Sequence, residues 1–195
     1  LDTNCVINLF DRESLSATSV AEIETLTRYA LDGKAEIAIT TRLETDLMQD
    51  KNEKRRCAFI AMLNIFPVIP SIGRWNISKW DEDVFADEGS QRLSYEIQQI
   101  LSPGLTTDSR RYSNEINDID HLTGHVLGKR DIFVTDDKGI LRKRDQLRGL
   151  GILTMNPKQC VDHLDEIDLR SKPRTLPTDN IPANYHSRAL YGSVT

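Results

Sequence analysis

The sequence predicts an α/β fold, a three-layer sandwich with a central, mostly parallel sheet. Segments with apolar residues at helical spacing alternate along the chain with short apolar runs that suit buried strands. Acids stand at or just beyond the predicted ends of two strands, at Asp2 and Asp137. Because functional groups in such folds lie at the carboxyl ends of the strands, this edge is the first place to look for a site.

The helices are predicted from apolar spacing and from residues that start or end helices. Ile23, Leu26 and Ala30 recur at helical spacing, Asn117 is a predicted N-cap, and Pro157 stands in a first helical turn. Helices are expected over residues 16–31, from 42 onward with Thr40 or Thr41 as the cap, and over 54–63, 90–101, 117–127, 138–147 and 157–164.

The strands are predicted from short apolar runs over residues 35–40, 65–69, 131–135 and 151–155. The chain has no initiator Met, so we expect a few residues of a further strand to precede Leu1. Residues 1–165 are predicted to form one domain with an inserted segment at about 70–115, where residues 70–89 lack regular periodicity. Residues 166–195 contain Pro173, Pro177 and Pro182 and are predicted to form an extended C-terminal arm or tail.

The composition is that of an ordinary globular protein, with 195 residues, 38% hydrophobic and 28% charged. No apolar run approaches the roughly 20 residues that a membrane helix needs, and no signal-peptide pattern opens the chain. Three scattered cysteines favour free thiols in a reducing cytoplasm. The net charge of −5 argues against a general nucleic-acid-coating protein but allows local binding of nucleic acid.

Four acids are expected to meet at the carboxyl edge of the sheet: Asp2, Glu44, Asp118 and Asp137. Asp2 and Asp137 follow strands, whereas Glu44 and Asp118 are predicted to open helices, where the helix dipole favours negative charge. Clustered carboxylates stay ionised together mainly when divalent cations lie among them. The pattern therefore indicates metal-dependent phosphodiester chemistry.

Four blocks of sequence carry a family resemblance: residues 1–7 (LDTNCVI), 40–47 (TTRLETDL), 118–122 (DIDHL) and 133–137 (FVTDD). In order and spacing they resemble the PIN domain, a small metal-dependent nuclease fold, over about residues 1–70 and 115–165. The resemblance implies that Asp2, Glu44, Asp118 and Asp137 bind one or two Mg²⁺ or Mn²⁺ ions. It also implies that Asn4 and Thr135 orient the carboxylates.

Neighbouring acids leave alternatives open at three positions. Asp46 competes with Glu44, Asp120 with Asp118, and Asp136 with Asp137, and both members of a pair could contribute. The family pattern favours Asp118, since His-Leu follows three residues later, and Asp137, since the pattern is Thr-x-Asp. A single acid in such a place is also a common cap or turn residue.

Other residues receive simpler interpretations. His121 and His125 lie four apart, but with no third soft ligand in view they are interpreted as packing or surface residues. Cys5 is interpreted as core. Basic clusters at 51–56, 110–111, 129–130 and 142–144 are solvated faces or phosphate contacts, with Arg110, Arg111 and Lys138 as first candidates. Trp75 and Trp80 either stack on bases or anchor the insertion.

The resulting hypothesis is a single-strand-preferring, metal-dependent endoribonuclease in which a metal-activated water hydrolyses the phosphodiester. The RNA preference comes from the resemblance, since many PIN domains cleave RNA, among them the toxins of bacterial toxin–antitoxin pairs. The resemblance also leaves open a homodimer and a regulatory protein partner such as an antitoxin. The alternatives are a non-catalytic PIN-like binding or scaffold module and a DNA-directed nuclease of the same fold.

Overall fold

The computed structural model of the protein describes residues 1–10, 17–48, 53, 56–57, 66–71 and 87–171, with side chains except at 8–10, 17–19, 44–46, 48 and 171. The chain forms two compact units, Leu1–His163 and Leu164–Thr195. Of the second unit, only residues 164–171 lie in the described part, as the end of a helix. None of the described helices is long and apolar enough to cross a membrane.

Helices make up most of the described chain, with short strands between them. The helices are α1 (Thr3–Phe10), α2 (Ala17–Leu31), α3 (Thr41–Met48), α4 (Glu88–Leu101), α5 (Tyr112–Leu127), α6 (Lys138–Arg142), α7 (Arg144–Arg148) and α8 (Pro157–Ser171). The strands are β1 (Ile39–Thr40), β2 (Val68–Ile69), β3 (Ile132–Val134) and β4 (Leu153–Met155).

The predicted mixed α/β class with parallel strands is confirmed, but the predicted single central sheet is not. In the described residues the strands form two separate two-stranded sheets, so a three-layer sandwich around one sheet is not seen. β1 pairs in parallel with β2, Ile39 opposite Val68, and β3 pairs in parallel with β4, Phe133 opposite Thr154. The regular ladders are only two or three residues long, shorter than the apolar runs that predicted them.

The first two residues of the chain are hydrogen-bonded to both sheets. The backbone nitrogen of Leu1 donates to the carbonyl of Ala38, just before β1, at 2.8 Å. The backbone N–H of Asp2 donates to the carbonyl of Val134, the last residue of β3, at 3.0 Å. The start of β1 and the carboxyl end of β3 are therefore held beside the same short segment, from which α1 begins.

Three helix boundaries differ from the prediction. α5 begins at Tyr112 rather than Asn117, because Tyr112, Ile116 and Ile119 already form an apolar stripe that packs into the core. The predicted helix over 138–147 is two short helices that meet at Lys143. α8 continues to Ser171, beyond the predicted end at residue 164.

Several predicted features lie mainly or wholly outside the described residues. They are the helix over 54–63, most of the irregular segment at 70–89 with Trp75 and Trp80, most of the basic cluster at 51–56, and the tail beyond residue 171. The three cysteines are free thiols, Cys5 and Cys160 buried and Cys57 exposed.

Two apolar clusters support the fold of the first unit. The larger lies between α4, α5, β3 and the α6–α7 segment and contains Ile97, Ile116, Ile119, Leu122, Phe133, Ile140, Leu147 and Ile152. The smaller joins α1, β1 and α3 through Val6, Ile39, Leu43 and Leu47. Fully burying one such aliphatic side chain contributes about 1.5–3 kcal/mol, so these contacts set where α5 and α6 lie relative to the strands.

α5 approaches β1 and β2 closely at two glycines near its carboxyl end. A Cβ at Gly124 would lie 3.1 Å from Thr40 Cγ2, and a Cβ at Gly128 would lie 2.8 Å from Ile69 Cγ2. The next residue, Lys129, takes a left-handed φ of 50° while its N–H donates to Val126 O at 3.0 Å. Position 128 thus needs glycine for space, whereas position 129 has a backbone that favours glycine.

Replacing Lys129 with Gly should stabilise the protein by about 1 kcal/mol, because the left-handed conformation costs a side-chain-bearing residue roughly that amount. The change is measured as a rise in the urea unfolding midpoint at unchanged slope. Lys129→Ala is the matched control and should give no such gain, since alanine carries the same strain. Equal effects of the two substitutions would contradict this account.

His125 is buried on α5, with its ring edge-on to Phe133 at 5.6 Å between centroids. Burial lowers its pKa from 6.5 to about 4, because the charged ring would lose its hydration. In the folded protein at neutral pH the ring is therefore neutral, as the packing interpretation of this histidine requires.

The depressed pKa of His125 predicts a loss of stability in acid. The unfolded chain takes up this proton near pH 6.5 and the folded protein only near pH 4. Stability from the neutral ring is thus present above pH 6.5 and lost as the pH falls toward 4. Urea unfolding between pH 4 and 7 should show a shallower pH dependence for His125→Gln than for wild type. His163→Gln, on α8, is the control and should keep the wild-type pH dependence. An unchanged slope in His125→Gln would exclude His125 as the source of the loss of stability in acid.

Candidate functional site

An open groove of about 850 Å³ contains two of the four predicted metal-binding acids, Asp118 and Asp137. It lies between the end of α4, the first half of α5 and the α6–α7 segment. The remaining groove residues are Leu101, Glu115, Gly139, Ile140, Arg142, Lys143, Asp145 and Gln146. The groove therefore combines an apolar base with four carboxyl groups and two cations.

Asp137 is held by its own chain at the start of α6. Its Oδ1 accepts hydrogen bonds from the N–H groups of Gly139 at 2.6 Å and Ile140 at 2.9 Å. In the described part of the chain Oδ2 accepts none, so one oxygen orients the carboxyl group and the other stays available in the groove. A Cβ at Gly139 would lie 2.8 Å from Oδ1, so glycine at 139 permits this close turn.

Asp2 is buried and connected to the backbone of Asp137 through Thr135. The Asp2 side chain is 2% exposed; Oδ1 accepts from the N–H of Thr3 at 2.7 Å, and Oδ2 accepts from the Thr135 hydroxyl at 2.5 Å. The same Thr135 oxygen accepts from the N–H of Asp137 at 2.9 Å. Thr135 thus makes the contact to Asp2 that the sequence interpretation expected, whereas Asn4 is exposed on α1.

Beside Asp2, the Cys5 thiol lies 3.7 Å from the carbonyl of Val134. Cys5 is fully buried, as the core interpretation expected, and burial raises the pKa of its thiol well above the usual range. The thiol therefore stays protonated at neutral pH and acts as core packing.

The two neighbouring acids on α5 have different surroundings. Asp118 is half-buried and lines the groove, while Asp120 is fully buried with its Oδ2 2.9 Å from a guanidinium nitrogen of Arg42. Arg42 is itself 1% exposed, so this buried ion pair joins α3 to α5. Removing one partner would leave an uncompensated buried charge, which typically costs 3–5 kcal/mol.

Asp118 does not open its helix as predicted. Because α5 begins at Tyr112, Asp118 lies in the second turn, beyond the strongest effect of the helix dipole. Likewise Asn117 is not an N-cap but a buried residue inside the helix. Of the pair Asp136 and Asp137, Asp137 lines the groove.

His121 is a buried connector rather than a surface residue. Its Nε2 lies 3.0 Å from the Thr3 hydroxyl, and its Nδ1 lies 2.5 Å from the Thr40 hydroxyl. It therefore ties α5 to the residue after Asp2 and to the end of β1. The spacing from Asp118 to His121 places both within about one helical turn, but it does not predict the contacts of His121 with Thr3 and Thr40.

Glu44 is in α3, but its side chain and that of Asp46 lie outside the described part of the structure. Among the described residues, no group of three or more His, Cys, Asp or Glu side chains lies close enough together to hold a metal ion. The described site is thus a pair of groove carboxyls, Asp118 and Asp137, with Asp2 connected to the backbone of Asp137 through Thr135.

Sequence reasoning did not single out Glu115 and Asp145 as groove residues, and its first candidates for phosphate contacts do not line the groove. Glu115 accepts a hydrogen bond from the Ser102 hydroxyl and lies 3.8 Å from Arg111, an ion pair along α5. The groove cations are Arg142 and Lys143, not the first candidates Arg110, Arg111 and Lys138. The cluster at 142–144 was noticed, but only the break at Lys143 determines which of its members reach the groove.

Comparisons of the chain with models of known families, with curated proteins and with solved structures give no match.

Removing the Thr135 hydroxyl should destabilise the protein, because Asp2 would lose a hydrogen bond in a buried site. For Thr135→Val we expect a loss of about 2 kcal/mol in unfolding free energy, typical of hydrogen bonds to charged groups. Thr135→Ser retains the hydroxyl and serves as the matched control, with a smaller loss from the missing methyl. Urea unfolding measures both. A Val variant as stable as the Ser variant would show that this contact contributes little.

Proposed function

We propose that this chain is a divalent-metal-dependent nuclease of the PIN type that hydrolyses phosphodiester bonds, preferentially in single-stranded RNA. The observation that carries the proposal is the presence of Asp118 and Asp137 in one open groove. They are 19 positions apart in sequence, on α5 and just after β3. The RNA preference rests on the family resemblance of the four sequence blocks.

The carboxyl groups of the groove fit Mg²⁺ or Mn²⁺. These ions favour carboxylate oxygens, and Mg²⁺ keeps several waters and is commonly held by only one or two carboxylates together with substrate phosphates. Asp118 and Asp137 supply these one or two carboxylates, although the described residues contain no cluster of three or more metal ligands. Asp2, and Glu44 from α3, are proposed as further ligands. A bound ion would lower the pKa of a water and stabilise charge on the phosphate.

The chain's own residues hold these carboxyl groups ready. Two backbone N–H groups donate to Oδ1 of Asp137, so its carboxyl group is already oriented before substrate binds. The Thr135 hydroxyl spans Asp2 and the backbone of Asp137. Asp120 is neutralised by Arg42, which leaves Asp118 as the acid that this part of α5 contributes to the groove.

The proposal includes one parallel sheet as the centre of the fold. The backbone bonds of Leu1 to Ala38 and of Asp2 to Val134 support it, because they run between the two strand pairs. The order would be β2, β1, the segment at Leu1 and Asp2, β3 and β4. In such an arrangement Asp2 and Asp137 lie at the carboxyl ends of adjacent strands, where α/β sheets place their sites.

The proposal predicts metal-dependent cleavage that requires Asp118. With Mn²⁺ or Mg²⁺, the full chain should cleave labelled single-stranded RNA, and Asp118→Asn should lower the rate on the order of 100-fold or more, equivalent to several kcal/mol of lost stabilisation. Mn²⁺ should also raise the melting temperature of wild type and not of Asp118→Asn. Asp131→Asn, an exposed acid at the other end of β3, is the matched control and should behave as wild type.

The outcomes separate the competing functions. Cleavage of single-stranded DNA but not RNA of the same sequence would select the DNA nuclease. A metal-dependent rise in melting temperature without cleavage of either would select the non-catalytic binding module. Equal activity in wild type and Asp118→Asn would remove this groove as the site.

A further inference from the structure

Two cations, Arg142 and Lys143, share the groove with the proposed metal-binding acids. Lys143 is half-buried and Arg142 is exposed, with its Nε donating to the carbonyl of Lys138 at 3.0 Å. Neither forms an ion pair with any residue in the part of the chain that the structure describes. They are therefore positive charges held next to acids without being neutralised by them.

The backbone that carries these cations is fixed. Lys143 closes α6 and precedes α7; its N–H donates to Ile140 O at 2.9 Å, and its carbonyl accepts from Gln146 and Leu147 at 3.0 Å. Ile140 is 2% exposed and Leu147 is fully buried, so both flanks are anchored in the core. The break between the two short helices is thus held by backbone hydrogen bonds and buried flanking residues, and residues 142 and 143 line the groove there.

The other cations near this region are differently placed. Arg111 is 82% exposed and faces Glu115, while Lys138, Arg144 and Arg148 are exposed and do not line the groove. Arg142 and Lys143 therefore line the groove because of the geometry of the break. Local charge does not explain this, because Arg144 and Arg148 carry the same charge and do not line the groove.

We propose that Arg142 and Lys143 bind a backbone phosphate of the nucleic-acid strand next to the phosphate at Asp118 and Asp137. This inference rests on the proposed function. Four carboxyl groups in the groove repel a polyanion, and Arg142 and Lys143 offset part of that charge in addition to any bound metal ion. A guanidinium offers paired donors to phosphate oxygens, and the lysine ammonium adds a point charge.

Phosphate contacts of this kind supply affinity and register without reading bases. Arg142 and Lys143 are therefore positioning residues: they hold the strand so that the scissile phosphate meets the acids. Their loss should raise KM and leave kcat nearly unchanged, the opposite of what loss of Asp118 should do.

The test measures binding separately from cleavage. Binding of the full chain to a fluorescent single-stranded RNA is titrated in EDTA at several salt concentrations, for wild type, Arg142→Gln, Lys143→Gln and the double variant. Each lost phosphate contact should weaken binding about 5-fold at 0.1 M salt and reduce the slope of log K against log salt by about 0.7. Arg144→Gln, which removes the same charge beside the groove, is the matched control and should retain both values. Thermal unfolding checks that every variant is folded.

The outcomes separate this inference from the proposed function. Salt-dependent binding that weakens in the Arg142 and Lys143 variants, without cleavage under any metal, would retain the inference and reject the nuclease. Cleavage by wild type with unchanged binding and KM in both variants would retain the nuclease and reject the inference. Absence of binding by wild type, or an Arg144→Gln variant as weak as the others, would also overturn it.

Discussion

The hydrogen bond between Thr135 and Asp2 is the contact on which the site depends. It joins the first residues of the chain to the end of β3, and the same hydroxyl oxygen accepts the N–H of Asp137. Asp2 is nearly fully buried, so its carboxyl group needs such partners to offset lost hydration. The bond thus connects the residue before α1 to the segment between β3 and Asp137.

α5 positions the remaining residues of the site, and its faces make different contacts. One face packs Ile116 and Ile119 into the larger core, and another presents Asp118 to the groove. The residues that follow are Asp120, buried against Arg42, and His121, which contacts α1 and β1 through threonine hydroxyls. Acids two positions apart on a helix point in different directions, which is why one is structural and the other open to solvent.

The groove has an uneven distribution of charge. Glu115, Asp118 and Asp137 come from α5 and the end of β3, whereas Arg142, Lys143 and a fourth acid, Asp145, come from the α6–α7 segment. An acidic site alone would repel a nucleic acid, and a basic groove alone would bind it without holding cations. The net charge of the chain, −5, does not by itself indicate nucleic-acid binding. A groove that carries both kinds of charge is compatible with that value.

The sequence by itself determined the α/β class, most element positions and the candidate acids, because apolar periodicity and strand-end acids are local signals. Tertiary structure decided which acid of α5 faces the groove: Asp120 is buried against Arg42, 78 positions away in sequence, whereas Asp118 lines the groove. It also decided that Lys143, and not Arg144, lines the groove, at the point where the predicted helix is interrupted. Local patterns carry no information on such long-range contacts, and these contacts set the environment of each charge.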